Sequence, residues 1–294
     1  MPYPRTLLLC GTLSVLAVSL SAQNPTIGGG TCNSSSLNGT YSLTLTGRQT
    51  NSKGALSNIF QANGAASFNG LNKVTIALNA NTLQALSTPV SWSGTYSIQA
   101  NCVGQLSISS GGTVTFDLLL YNGGTDFLLT GNDAIYSYSG GGNSQPATCS
   151  AGMLAGVYAF NATGFSLTGG AVNGAEDAAG LLQFDGQANV TTNLTLYTLG
   201  ASTPLNLTGT YTISNCTGSA KLTDSKGNSY SMMFAFSAAS KTAVTNFSAI
   251  FGVNGLFTMS GTVRAVYGQP TSALFLNPVD KPGLLAPFGA GGRS

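Results

Sequence analysis

The sequence predicts an all-β protein: two tandem antiparallel modules of about eight strands each, closing as up-and-down (calycin or lipocalin-like) barrels in preference to β-sandwiches. Three observations carry this reading. Charged residues make up only 6% of the 294 residues while hydrophobic ones reach 43%, and the polar remainder is Ser, Thr, Asn, Gln and Gly. Such a chain lacks the usual residues of helix surfaces and suits strands joined by turns. Apolar residues alternate with polar ones at a period of two, as in Tyr41, Leu43 and Leu45 or Val74, Ile76 and Leu78, the pattern of strands with one buried face. Finally, the chain repeats itself: GTYSIQANCVG at 94–104 returns as GTYTISNCTG at 209–218.

Taken in order, residues 1–22 read as a secretory signal, with Arg5 at its positive end, an apolar run over 7–20 and small residues Ser19, Ser21 and Ala22 before the cleavage point. That run of about 14 residues is shorter than the roughly 20 that span a bilayer, so no transmembrane segment is expected. Cys10 precedes most of the run and follows the bulky Leu9, which argues against a lipid anchor. Residues 23–31 form a turn-rich leader. Module 1 is expected over 32–140, a glycine-rich linker over 141–148, module 2 over 149–267 and a loosely ordered, proline-rich tail over 268–294.

The duplication is visible residue by residue. Cys32, Leu37, Gly39 and Tyr41 recur as Cys149, Leu154, Gly156 and Tyr158; Phe68, Gly70 and Val74 as Phe184, Gly186 and Val190; Gly94, Tyr96 and Cys102 as Gly209, Tyr211 and Cys216. Asn63-Gly64, Asn69-Gly70, Asp185-Gly186 and the run from Asp224 to Asn228 carry the composition of hairpin turns. A barrel is preferred because closure removes exposed strand edges, which a chain with so few charges cannot otherwise guard.

Once the signal is removed, four cysteines remain, Cys32, Cys102, Cys149 and Cys216. They fall in two equivalent pairs, so the simplest connectivity joins Cys32 to Cys102 and Cys149 to Cys216, one staple per module. Metal and redox pairs usually show a closer CxxC spacing, absent here.

The chain contains no histidine, which removes Ser-His-Asp and Cys-His systems and histidine metal sites together. No cofactor is implied. A net charge of +2 offers no basic face for nucleic acid. Glu176-Asp177 reads as a solvated turn rather than a calcium loop, since the surrounding residues lack a spaced set of oxygen ligands. Among the aromatics, Tyr41/Tyr158 and Tyr96/Tyr211 sit on the apolar phase and are expected in the cores. Trp92, Tyr121 and Tyr197 are the candidates for contacting a small apolar ligand or a glycan. Trp92 has Leu207 in its place in the second copy, and such unpaired differences, Trp92 and Glu176-Asp177 among them, are where function is expected. Eight N-x-S/T sequons, at Asn33, Asn38, Asn161, Asn189, Asn193, Asn206, Asn215 and Asn246, matter only in a host that glycosylates them.

The elements GTYSLTLTG (39–47), FNGLNKVT (68–75) and GTYSIQANCVG resemble a group of uncharacterised secreted proteins, frequent in acidobacteria, built on GTYxF, FDGxGxVT and GTYxIxxxCxG. The second copy keeps Phe184-Asp185-Gly186 but reads Gly156-Val157-Tyr158 at its first element. The resemblance implies a secreted, periplasmic or cell-surface location and a β-fold, and no catalytic residue. The sequence thus leads to a non-enzymatic exported protein binding a small apolar ligand or glycan. A structural or adhesive surface component, or a carbohydrate-active or isomerase enzyme using Asp and Tyr, are its alternatives.

Overall fold

The structure, a computed structural model, describes residues 31–266 apart from 84, 87, 111–112 and 240–242. The signal, nearly all of the leader and the tail lie outside the described residues. Strands β1 (Asn38–Thr50), β2 (Leu56–Asn69), β3 (Lys73–Thr82), β4 (Thr88–Ile98), β5 (Val103–Ile108), β6 (Val114–Tyr121), β7 (Asp126–Asn132) and β8 (Ser137–Ser144) pair antiparallel in chain order, and β8 returns to β1 to close a barrel. The second barrel repeats this with β9 (Gly156–Thr168), β10 (Ala171–Phe184), β11 (Asn189–Thr198), β12 (Ala201–Ser214), β13 (Thr217–Thr223), β14 (Ser229–Ala239), β15 (Val244–Val253) and β16 (Phe257–Ala265), closed by β16 on β9. The expected pair of up-and-down barrels is the fold.

In both barrels the apolar phase of each strand turns inward, and Thr, Ser and Asn face outward. This is the reverse of a barrel whose outer wall meets lipid. One end of each barrel is plugged by the segment preceding its first strand. Turns at Ser34–Ser36 and Ala151–Leu154 drive Leu37 and Leu154, both wholly buried, into that end. The tyrosine of each repeated GTY element ties the plug down: the Tyr96 hydroxyl donates to the carbonyls of Ser34 and Leu37, both at 2.9 Å, and that of Tyr211 to Ala151 at 3.3 Å. The expected disulfides, Cys32–Cys102 and Cys149–Cys216, fasten the same segments to the hairpins that follow β4 and β12. The glycine of GTY has its own reason. A Cβ on Gly94 would lie 2.0 Å from the carbonyl oxygen of Ser107, and one on Gly209 1.9 Å from that of Lys221, closer than any side chain allows.

Beneath each plug lies the same aromatic layer. Phe68 meets Tyr41, Tyr96 and Phe127 at centroid distances of 5.5, 5.0 and 5.6 Å, and Phe184 meets Tyr158, Tyr211 and Phe247 at 5.7, 5.1 and 6.0 Å. Most of these contacts are edge-to-face, the arrangement ring quadrupoles favour. Burial pushes the Tyr158 and Tyr211 hydroxyls up to about 12, so both stay protonated donors.

Two expectations are corrected by this architecture. The glycine run from Gly140 is the last strand of barrel 1 rather than a linker: Gly141–Ser144 belong to β8, and a Cβ on Gly140 or Gly142 would strike the backbone carbonyl of Thr44 or Ser42. Asn63-Gly64 is not a turn but the middle of β2. Gly64 passes so close to β3 that a Cβ would lie 2.1 Å from the carbonyl oxygen of Ala77. Asn63 faces the other barrel and donates to the carbonyl of Met233 at 2.8 Å.

That contact belongs to an interface which packs the barrels side by side. The outer face of β2, buried through Ile59, Gln61 and Asn63, lies on the outer face of β14–β16, where Met233, Ala235, Ile250 and Thr258 are almost fully buried. Thr258 Oγ1 donates to Gln61 Oε1 at 2.7 Å and accepts from Asn81 Nδ2 at 3.0 Å. Near the unplugged ends, Ile59 and Leu83 of barrel 1 cluster with Leu167 of barrel 2. Near the plugged ends, Gln145 Nε2 donates to the carbonyls of Cys216 and Phe236. The two unplugged ends therefore lie on the same side of the molecule.

Candidate functional site

Where the plugged ends repeat, the unplugged ends differ, and one row of inward-facing residues shows how. In barrel 1 the strand registers align Phe60, Gly47, Tyr138, Gly131 and Phe116 across β2, β1, β8, β7 and β6. The same row in barrel 2 reads Glu176, Gly164, Met259, Phe251 and Met232 across β10, β9, β16, β15 and β14. In barrel 1, rings lie beside bare glycines, so that Phe60, Tyr138 and Phe116 touch at 5.7 Å centroid distances. Trp92, half-buried, closes this cluster from β4. Its ring stacks on Phe60 at 6.2 Å and 11° and lies 6.4 Å from both Phe116 and Tyr138.

Asp133 holds the rim of this cluster. It accepts from the backbone amides of Ile135 and Tyr136, both at 2.6 Å, and from the Tyr138 hydroxyl at 2.8 Å. Burial raises its pKa, but those donors outweigh burial and hold the carboxyl below its usual range. Burial, then the adjacent Asp133, push the Tyr138 hydroxyl far above the usual phenol value.

Barrel 2 replaces the ring of Phe60 by a carboxyl. Glu176 is not in a turn, as the sequence suggested, but within β10, in phase with the buried Ala178, Leu182 and Phe184, and it is 4% exposed. Burial alone lifts it from 4.5 to about 7, and no described residue donates a hydrogen bond to it. Thr192, the β11 counterpart of Ile76, also points inward, with its Oγ1 buried and unpartnered. Leu207 stands opposite Thr192 where Trp92 stands opposite Ile76. The aromatic wall has moved: Tyr230 stacks on Phe251 at 5.9 Å and 9°, and Phe251 meets Phe257 at 5.4 Å.

The neighbouring Asp177 points the opposite way, as alternation along a strand demands. It lines an open recess of about 350 Å³ on the outside of barrel 2, with Ala175, Tyr197, Thr198 and the turn to Ser202. Asp177 and Tyr197 are register partners, and Tyr197 is 49% exposed. The three aromatics singled out in the sequence therefore stand apart. Trp92 lines the interior of barrel 1; Tyr121 is half-buried on its outside opposite Asp126; Tyr197 lies on the outside of barrel 2.

Most of the other carboxylates are structural. Asp185 and Asp224 each accept backbone amides within their own hairpin turns, and Asp126 bridges the amides of Asn122 and Asn143. Among the described residues no three acids, cysteines or histidines gather as a metal site, and no helix is long and apolar enough to cross a membrane. Sequence reasoning singled out Glu176 with Asp177 as a difference between the copies but placed both in a solvated turn. The phase of Glu176 with Ala178, Leu182 and Phe184 was the available signal, obscured by the acid beside it.

No family model and no curated protein matches the chain. Among solved structures it aligns with a protein of unknown function from the DUF3598 family of Nostoc punctiforme, at 9% identity over 79% of this chain and 97% of that one, with a TM-score of 0.26. So distant a likeness transfers no role, and the site is described by its own chemistry: an aromatic-sealed barrel end beside one that holds a buried acid.

Proposed function

We propose that the protein is exported and acts without catalysis, binding a glycan in the recess formed by Asp177, Tyr197 and the β11–β12 turn. The signal-like N-terminus and the two disulfides support export, since such bonds persist in oxidising compartments, and the resemblance to secreted acidobacterial proteins points the same way. The observation that carries the binding is the exposed ring of Tyr197 paired in register with the Asp177 carboxylate. An aromatic face offers a platform to the C–H side of a sugar ring, and a carboxylate accepts from its hydroxyls. The recess lies at the lower end of the size range of small-molecule sites, enough for a short glycan segment. In barrel 1, Trp92 and Tyr138 are engaged with neighbouring rings, which favours the outer surface as the place of contact.

A glycan array with the purified chain tests this, followed by titration of any hit against Tyr197→Ala. Binding weakened about tenfold or more, the scale of one lost aromatic contact, supports the reading; an empty array, or a hit indifferent to Tyr197→Ala, overturns it. A structural or adhesive role is the second reading, favoured by the aromatic filling of both plugged ends and by the extensive interface between the barrels.

A further inference from the structure

The unplugged end of barrel 2 differs from that of barrel 1 at six inward positions. Phe116 becomes Met232, and Gly131 becomes Phe251, which moves a ring to the other side of the row. Four further changes make the remaining wall more polar or narrower. Phe60 becomes Glu176, Ile76 becomes Thr192, Trp92 becomes Leu207 and Tyr138 becomes Met259. Two apolar side chains give way to polar ones: Thr192, whose Oγ1 is buried without a partner, and Glu176, 4% exposed and without a hydrogen bond from any described residue. Two large rings give way to narrower aliphatic chains, one of them the adaptable Met259. A buried carboxyl without a partner is costly to keep in an apolar interior, and a core under selection for stability alone would retain the phenylalanine that the same fold accepts in barrel 1.

The rest of the row supplies what such a carboxyl would need. Along the strand registers, Glu176 is followed by the bare Gly164, then Met259, then Phe251. Phe251 lies at the centre of a wall with Tyr230 and Phe257. A carboxylate and an aromatic wall on one inward row of an apolar barrel are the two components that recognise an organic ammonium ion: the acid compensates the charge, and rings attract the cation and cover its apolar body. We infer that the unplugged end of barrel 2 is a binding site for a small organic ammonium ligand held by Glu176. This site is distinct from the outer recess at Tyr197, which lies on the opposite face of the same β10–β11 pair.

The test uses the full mature chain and two probes of matched shape, n-butylammonium and neutral n-butanol, titrated at about pH 8 and followed by amide NMR shifts. Butylammonium is expected to move the amides of 164, 176–178, 230, 251 and 259 in the millimolar range appropriate to so small a ligand, with butanol at least tenfold weaker. Glu176→Gln, which keeps the shape and removes the charge, should weaken butylammonium by about tenfold or more while leaving the remaining spectrum in place. Met259→Tyr, which restores the ring present in barrel 1, should block both probes. Equal affinity for the two probes, full binding by Glu176→Gln, or no shifts below about 50 mM would each overturn the assignment. Tyr197→Ala should leave this binding unchanged, which separates its failure from that of the glycan site.

Discussion

Glu176 is the sole glutamate of the chain, so its ionisation can be followed without ambiguity. Burial raises its pKa from 4.5 to about 7. Below about pH 4.5 the group is neutral in both folded and unfolded chains and costs nothing. As pH rises, the unfolded chain ionises first, and the folded state falls behind until its own carboxyl ionises near pH 7. The wild type should therefore lose stability between about pH 4.5 and 7 and then level off. A shift of that size corresponds to roughly 3 kcal/mol, and solvent reaching the barrel end reduces it to about 1–2 kcal/mol. Asp133 and Asp185, held low by their hydrogen bonds, act in the opposite sense, but they are common to wild type and variant. The perturbation is Glu176→Gln, which cannot ionise. Urea unfolding followed by circular dichroism should show the variant gaining about 1–2 kcal/mol over wild type from pH 4 to pH 8. Protein labelled with ¹³C at the glutamate carboxyl should give one resonance titrating near pH 7. A midpoint near 4.5, or a stability difference that does not change with pH, would refute the placement of this carboxyl in the barrel interior.

The remaining predictions concern the architecture. Removing one staple by Cys32→Ser with Cys102→Ser should cost barrel 1 roughly 4 kcal/mol in the chain-entropy account, measurable as an earlier loss of Trp92 fluorescence in urea while barrel 2 unfolds near its original midpoint. Gly209→Ala places a methyl against the Lys221 carbonyl and should destabilise barrel 2 by about 3 kcal/mol or more; a variant with unchanged thermal midpoint would contradict the close approach of β12 and β13. Asn63→Ala removes a buried donor to the Met233 carbonyl and should cost about 1–3 kcal/mol, read as a separation of the unfolding transitions of the two barrels. A single unshifted transition would mean that the interface does not depend on this bond.

Much of the fold was legible because it is written locally. Alternation fixes which face of a strand is apolar, and the repeat gives a second copy against which each strand can be checked. The cysteine equivalence led to the correct pairs because a staple inside one module needs only that module's geometry. The turn residues were read less securely. Asn69-Gly70 and Asp185-Gly186 are turns, but Asn63-Gly64 has the same letters and lies within a strand, because its asparagine is satisfied by another barrel and its glycine by a crowded neighbouring strand. Gly141–Ser144 misled in the same way: glycine reads as flexibility in sequence, yet here Gly142 is required where Phe127 covers the sheet.

The class, the duplication and the disulfide pairing can be read from the chain alone, since all three rest on local period or on identity between copies. Which residues share a row across a closed barrel depends instead on how the strands meet in three dimensions. Register brings together Glu176 and Gly164 from one hairpin with Met259 and Phe251 from another far along the chain, and closure of β16 on β9 completes the row. The fold likewise turned Asp177 outward and Glu176 inward, placing two adjacent acids in different environments. Burial depends on where strands meet, and that is a property of the closed sheet rather than of any one stretch of chain.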